Sequence, residues 1–181
     1  MDIPRRIVTG QAADGTAAVA VDGPPPRSNE LKHMPGFAST LLWATPAEPV
    51  VPFDGTDPTP AVTSFVPEPG ATRLIHLVIP PDTVYMSEDF NPVAAAVERL
   101  ETSPGLAELF EPDHPGMHTT DTVDYGVLLQ GEVVLELDEG REVTLAPGEI
   151  VVQNGTRHAW RNRSNAPATM LFVLIAARRN H

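Results

Sequence analysis

Two histidines in short alternating runs carry the chemistry of this sequence. The run H-T-T-D-T-V-D-Y-G puts His118, Thr120, Thr122 and Asp124 at every second position. Side chains of a strand alternate faces, so these four are expected to point the same way. A second run, N-G-T-R-H-A-W-R-N, does the same with His158, Trp160 and Asn162. Two strands that each offer an imidazole, one of them also a carboxylate, can enclose a divalent metal. Neutral imidazole nitrogens with one carboxylate suit ferrous iron, and also zinc, manganese or nickel. Such a site leaves positions open for water, substrate oxygens or dioxygen. The imidazoles must be neutral, so metal is expected to leave as the pH falls through roughly 6.5, the reference value for histidine.

Each residue has a plainer reading beside the chemical one. His118 reads as a metal ligand or as a surface histidine near a loop. Asp124 reads as a third ligand, a proton donor, or a strand carboxylate bonded to Thr120, Thr122 or Arg161. Gln153 stands just before the Asn154-Gly155 turn and either faces the cavity or caps that turn. Trp160, on the face of His158, is expected to wall the pocket, and Thr120, Thr122 and Asn162 to line it. Tyr125 falls on the opposite face, as do Arg161 and Arg163. His76 and His114 are weak candidates, one alone in an apolar strand and one in a Pro-rich loop.

Short strands must position these residues. Val123–Leu129, Glu132–Leu137, Glu142–Leu145, Ile150–Gln153, His158–Asn162 and Thr169–Ala176 alternate or run apolar, with glycine turns between them. Evenly spaced strands of this kind predict an antiparallel barrel or sandwich. Upstream, Arg6–Thr9 and Ala17–Val21 flank a turn at Asp14-Gly15, and Phe37–Trp43 and Arg73–Ile79 are further strands. The chain has 20 prolines, and those at 24–26 and 44–60 predict extended coil. Asn91 as N-cap with Pro92 at the first helical position opens one short helix. Val93, Val97 and Leu100 give it an apolar stripe, read as a packing face or as a lid over the barrel mouth.

These motifs resemble the paired motifs of the cupin superfamily. The family's first motif runs histidine, any residue, histidine, then glutamate and a downstream glycine. Set against Gly131, its positions fall on His118, Thr120 and Asp124, so one histidine is replaced and the glutamate is shortened. The second motif ends in glycine, histidine and asparagine, here Gly155, His158 and Asn162. The resemblance implies an all-β double-stranded β-helix, a jelly-roll barrel, with an N-terminal arm and one short helix. It divides the chain into residues 1–60, an arm with a Pro-rich extended region, and residues 61–181, the barrel, within a single domain overall. It implies a divalent metal on His118, His158 and Asp124, with Asp124 also the catalytic acid. The implied activity is a lyase decarboxylating a small carboxylic, aromatic or polyketide-type acid. An Fe(II)-dependent dioxygenase and a non-catalytic ligand-binding barrel are the alternatives. The arm commonly crosses to a second subunit in similar proteins, which implies a homodimer.

Composition narrows the field. Across 181 residues, 24 acidic side chains against 12 basic ones give a formal charge of −12, which repels phosphates and argues against nucleic acid. Cysteine is absent, so disulfides and thiolate metal sites are excluded. Without a long apolar run or an apolar leader, no membrane partner is expected and a cytoplasmic location is.

Overall fold

The computed structural model describes residues 3–180. Its centre is a sheet in the order β3-β4-β5-β11-β6-β9, formed by Ser28–Glu30, Ala38–Thr45, Thr72–Ile79, Ala168–Ala176, Thr122–Gln130 and Ile150–Asn154. A three-stranded sheet, β10-β7-β8, is formed by Ala159–Arg161, Val133–Glu136 and Glu142–Leu145. Every strand pairing is antiparallel. The period-2 pattern sets the register. On β11, Ala168, Met170, Phe172 and Leu174 are buried while the residues between them are less so. They meet Leu41, Ile75, Ile79 and Leu128 of their own sheet and Val133 and Leu145 of the smaller one in a single apolar core. Each such large side chain contributes roughly 1.5–3 kcal/mol by leaving water.

Gly126 of β6 is where the core is tightest. A Cβ there would stand 2.8 Å from Cε1 of Phe172, so only a residue without a side chain lets that ring lie flat on the strand. At the β6–β7 turn, Gly131 has φ +84°, and a Cβ would come within 2.8 Å of the backbone at Pro167 and Ala168. Gly131 thus fixes the turn that the motif glycine announced, while Gly126 makes room for Phe172 within the strand.

The Pro-rich stretch from 46 to 58 is coil, as expected, yet the main sheet reaches back before it. β3 and β4 lie within the region read as an arm and pair into the barrel sheet through β5. β4 covers the strand expected at Phe37–Trp43, and its buried Leu41 closes the core. What stands apart is a hairpin of β1 (Arg6–Gln11) and β2 (Ala17–Gly23). It docks on its own chain: Arg6 donates to the Leu42 carbonyl, pairs with Asp57 and lies over the Trp43 ring.

One α-helix, α1 (Pro92–Thr102), precedes β6, with the Asn91 side chain capping the Ala94 amide at 3.0 Å. Its orientation reverses the expected one. Val93, Val97 and Leu100 are 75%, 51% and 45% exposed, while Ala95 packs on Leu31 and Met34. Polar anchors decide this: the Glu98 carboxylate accepts from the amides of Lys32 and His33, and the Asn91 amide donates to the His33 carbonyl. Among the described residues no helix is long and apolar enough to cross a membrane.

Candidate active site

His118 and His158 face each other through a backbone bridge in which each amide donates to the other's carbonyl at 3.0 Å. The sequence put them on strands; in the structure each precedes a strand, and the bridge does the strand's work locally. Their ring centroids are 4.3 Å apart and their planes tilted by 47°. Each Nδ1 lies against the carbonyl two residues back, 3.1 Å from Gly116 O for His118 and 2.9 Å from Thr156 O for His158. A carbonyl accepts only from a protonated nitrogen, so the neutral rings carry hydrogen on Nδ1 and leave both Nε2 lone pairs free. Burial, and then the neighbouring His158, pushes His118 down to about 4; burial lowers His158 as well. Both rings are therefore neutral at pH 7.

Asp124 opens on the same cavity from β6 and is buried. Its Oδ1 has no hydrogen-bond partner among the described residues. Burial raises its carboxyl to about 6, partly offset by the Thr122 hydroxyl. Directly across on β9 stands Gln153, whose buried Nε2 likewise lacks a partner. The Gln153 carbonyl oxygen accepts from the Thr156 amide, so this side chain caps the turn and does not line the cavity. Thr120 lines the cavity and accepts from Thr122 at 2.7 Å, whereas Thr122 stays behind it.

Asn162 also lies outside the cavity wall. Its Nδ2 donates to the carbonyls of Ile79 and Ala166, and its Oδ1 accepts from Ser164, so the motif asparagine locks the end of β10 to β5. Trp160 walls the cavity as expected, in a row of rings that runs Phe110, His118, His158, Trp160, Phe172. Tyr125 is exposed on the outer face of β6, and at the smaller sheet Arg161 and Arg163 pair with Glu136 and Glu142. His114 is paired with Glu111 near the surface, and His76 points away from the cavity side of β5.

The cavity is mostly apolar, with Phe65, Ile75, Leu77, Phe172 and Leu174 among its walls. Sequence reasoning missed its other rim. Arg99 of α1, Ser103, Leu106, Ala107 and Phe110 close it from the helix side. The only signal was the alternative reading of the helix as a lid, and the apolar stripe pointed to the wrong face.

The donor set fits a divalent metal in two respects: two free imidazole lone pairs side by side, and an orphaned carboxylate oxygen in the same cavity. It falls short in a third. Among the described residues no group of three or more His, Cys, Asp or Glu side chains is gathered closely enough to hold an ion. Thr120, at the position of the second motif histidine, adds no metal-binding nitrogen.

Residues 108–174 match the family model described as a cupin domain. Phomopsin biosynthesis cluster protein D of Diaporthe leptostromiformis is 40% identical over 90 residues, which are 49% of this chain and 44% of that protein. Phomopsin biosynthesis cluster protein C' of the same fungus is 49% identical over 63 residues, 34% of this chain and 33% of its own. A cupin-domain-containing oxidoreductase of Aspergillus ruber is 40% identical over 62 residues, 33% of this chain and 30% of its own. The chain thus spans less than half the length of these curated relatives.

Proposed function

We propose that this chain, which belongs to the cupin superfamily, is an enzyme that converts a small apolar acid at the His118–His158 pair. The observation that carries the reading is the pair itself: two buried neutral imidazoles, each with Nδ1 tied to a backbone carbonyl, turn free Nε2 atoms to an apolar cavity. No purely packing role requires both lone pairs to be left unpaired. A divalent metal held by the two Nε2 atoms, with Asp124 as a further ligand or as a neighbouring acid, would supply a Lewis acid for substrate oxygens.

Asp124 favours a lyase. Loss of carbon dioxide breaks the bond to the carboxylate carbon and leaves an electron pair on the adjacent carbon. A proton must then reach that carbon, and Asp124 is a buried carboxyl with a free oxygen and a raised affinity for its proton. Solvent restores the proton after release of product. The apolar walls exclude water from the carbanion until that transfer.

Oxidoreductase chemistry is the second reading, supported by the name of the Aspergillus ruber relative. The two separate in one assay on iron-loaded protein with a panel of aromatic and β-keto acids. Carbon dioxide released without oxygen uptake fits the lyase. Stoichiometric oxygen uptake overturns it in favour of a dioxygenase, and neither leaves a binding barrel. A homodimer and a cytoplasmic location stay part of this proposal. The exposed outer face of β6 and β9, with Tyr125, Leu129, Ile150 and Val152, is the surface that supports the dimer.

A further inference from the structure

The guanidinium of Arg99 is a cation built into the cavity without a counter-ion. Among the described residues it makes no ion pair, and its buried Nε has no hydrogen-bond partner. Rings hold it instead: Cζ lies 4.7 Å from the centroid of Phe37 and 5.2 Å from that of Phe110, while Nη2 donates to Met34 Sδ at 3.0 Å. Tyr85 adds a side-chain hydrogen bond, but burial raises its phenol, so it brings no negative charge at neutral pH. All four of these side chains line the cavity together with Arg99.

Cation–ring contacts and a thioether replace water poorly for a buried charge, and a guanidinium stays protonated under such conditions. The helix is turned so that this charge faces in while Val93, Val97 and Leu100 face solvent. The anchors of Glu98 and Asn91 fix that orientation, and it leaves a buried donor without a partner at the cavity wall, which a ligand that brings the missing negative charge would satisfy.

We propose that Arg99 is the recognition group for a carboxylate of the ligand, at the end of the molecule away from the reacting one. Phe110 fixes that geometry, because its ring touches Arg99 on one side and the His118 ring, at 4.6 Å between centroids, on the other. The ligand class is therefore an acid with an apolar or aromatic body, its carboxylate forked by Arg99 and its other end at the histidine pair. The placement of the reacting end rests on the function proposed above; the anchoring of a carboxylate by Arg99 does not.

Calorimetric titration with cinnamate and with neutral cinnamamide tests this, on the protein as purified and after removal of metal by chelation. Arg99 as anchor predicts that cinnamate binds at least roughly tenfold tighter than the amide in both preparations, the scale of a hydrogen-bonded ion pair formed out of water. Arg99→Gln should bring the two probes to within about threefold, while Arg99→Lys should keep part of the preference, since it keeps the charge and loses the fork. If the preference disappears on chelation, or persists undiminished in a folded Arg99→Gln, the carboxylate is held elsewhere and the proposal falls. If Arg99→Gln does not fold, the lysine variant decides: a preference equal to that of the wild type overturns the fork. Absence of any turnover would sink the lyase reading and leave these binding outcomes intact.

Discussion

Asp124→Asn should make the metal-free protein more stable at neutral pH, and the gain should fade in acid. Burial raises the Asp124 carboxyl from 3.8 to about 6, so the folded chain keeps a proton that the unfolded chain has released. A raised carboxyl is harmless below its unfolded value and costs progressively more as the pH climbs to the folded one. Two units correspond to about 3 kcal/mol, an upper figure for a site that relaxes on ionisation. His118 has the opposite sign. Its folded value of about 4 lies below the reference 6.5, so the unfolded chain takes the proton first as the pH falls. Its stabilising share is intact above 6.5 and fades towards 4, by a similar amount of about 3 kcal/mol. Over the same window the two slopes oppose, which flattens the pH dependence of the wild type. With asparagine at 124 the histidine slope stands alone. Urea denaturation followed by circular dichroism, in chelator and from pH 4 to pH 7, reads this directly. The variant should gain up to about 3 kcal/mol at pH 7, converge with the wild type near pH 4, and depend more steeply on pH. A stability difference that is constant over the range, or a variant weaker at pH 7, refutes a buried carboxyl whose Oδ1 lacks a partner.

His158→Ala should weaken binding of zinc or iron by more than about tenfold and abolish turnover with the barrel still folded, checked by metal analysis beside circular dichroism. Metal should survive well below the pH 6.5 expected from sequence, because burial depresses both imidazoles; release at 6.5 in a pH titration would contradict that. Asn162→Ala should cost about 3 kcal/mol in denaturant while sparing ligand affinity, since it orphans buried carbonyls and touches no cavity wall. Gly126→Ala should cost about 1–3 kcal/mol and tilt Phe172 into the cavity, with weaker binding of cinnamate in calorimetry. Tyr125→Glu together with Val152→Glu should turn a sedimenting dimer into a monomer; a wild type that already sediments as a monomer refutes the dimer.

Much of the fold was legible because alternation and glycine turns are local signals. Strands β5 to β11 fall where their patterns put them, and Asn91 caps α1 as its type requires. The pairing of His118 with His158 was legible too, through motif spacing rather than through periodicity. What escaped notice is set by distant partners. Glu98 reaches the amides of Lys32 and His33 and thereby turns α1 over, and nothing within the helix sequence announces it. Asn162 shares a face with His158 on paper, yet carbonyls of Ile79 and Ala166 claim it first. Thr122 alternates correctly with Asp124 but is shielded by Thr120. β4 falls on the expected Phe37–Trp43 strand, whereas the three-residue β3 among prolines leaves little pattern.

The row of rings gives the protein an indicator of its own. Trp160 stands edge-on to His158, with centroids 5.5 Å apart, and the chain's other tryptophan, Trp43, lies outside the cavity. Indole emission is quenched by a neighbouring imidazolium and by open-shell ions, whereas zinc, with its filled d shell, has no such effect. In a Trp43→Phe background, light from a single residue would follow protonation of His158 and separate zinc from iron or nickel. Ligand and metal binding at the histidine pair could then be watched from within, with no label attached.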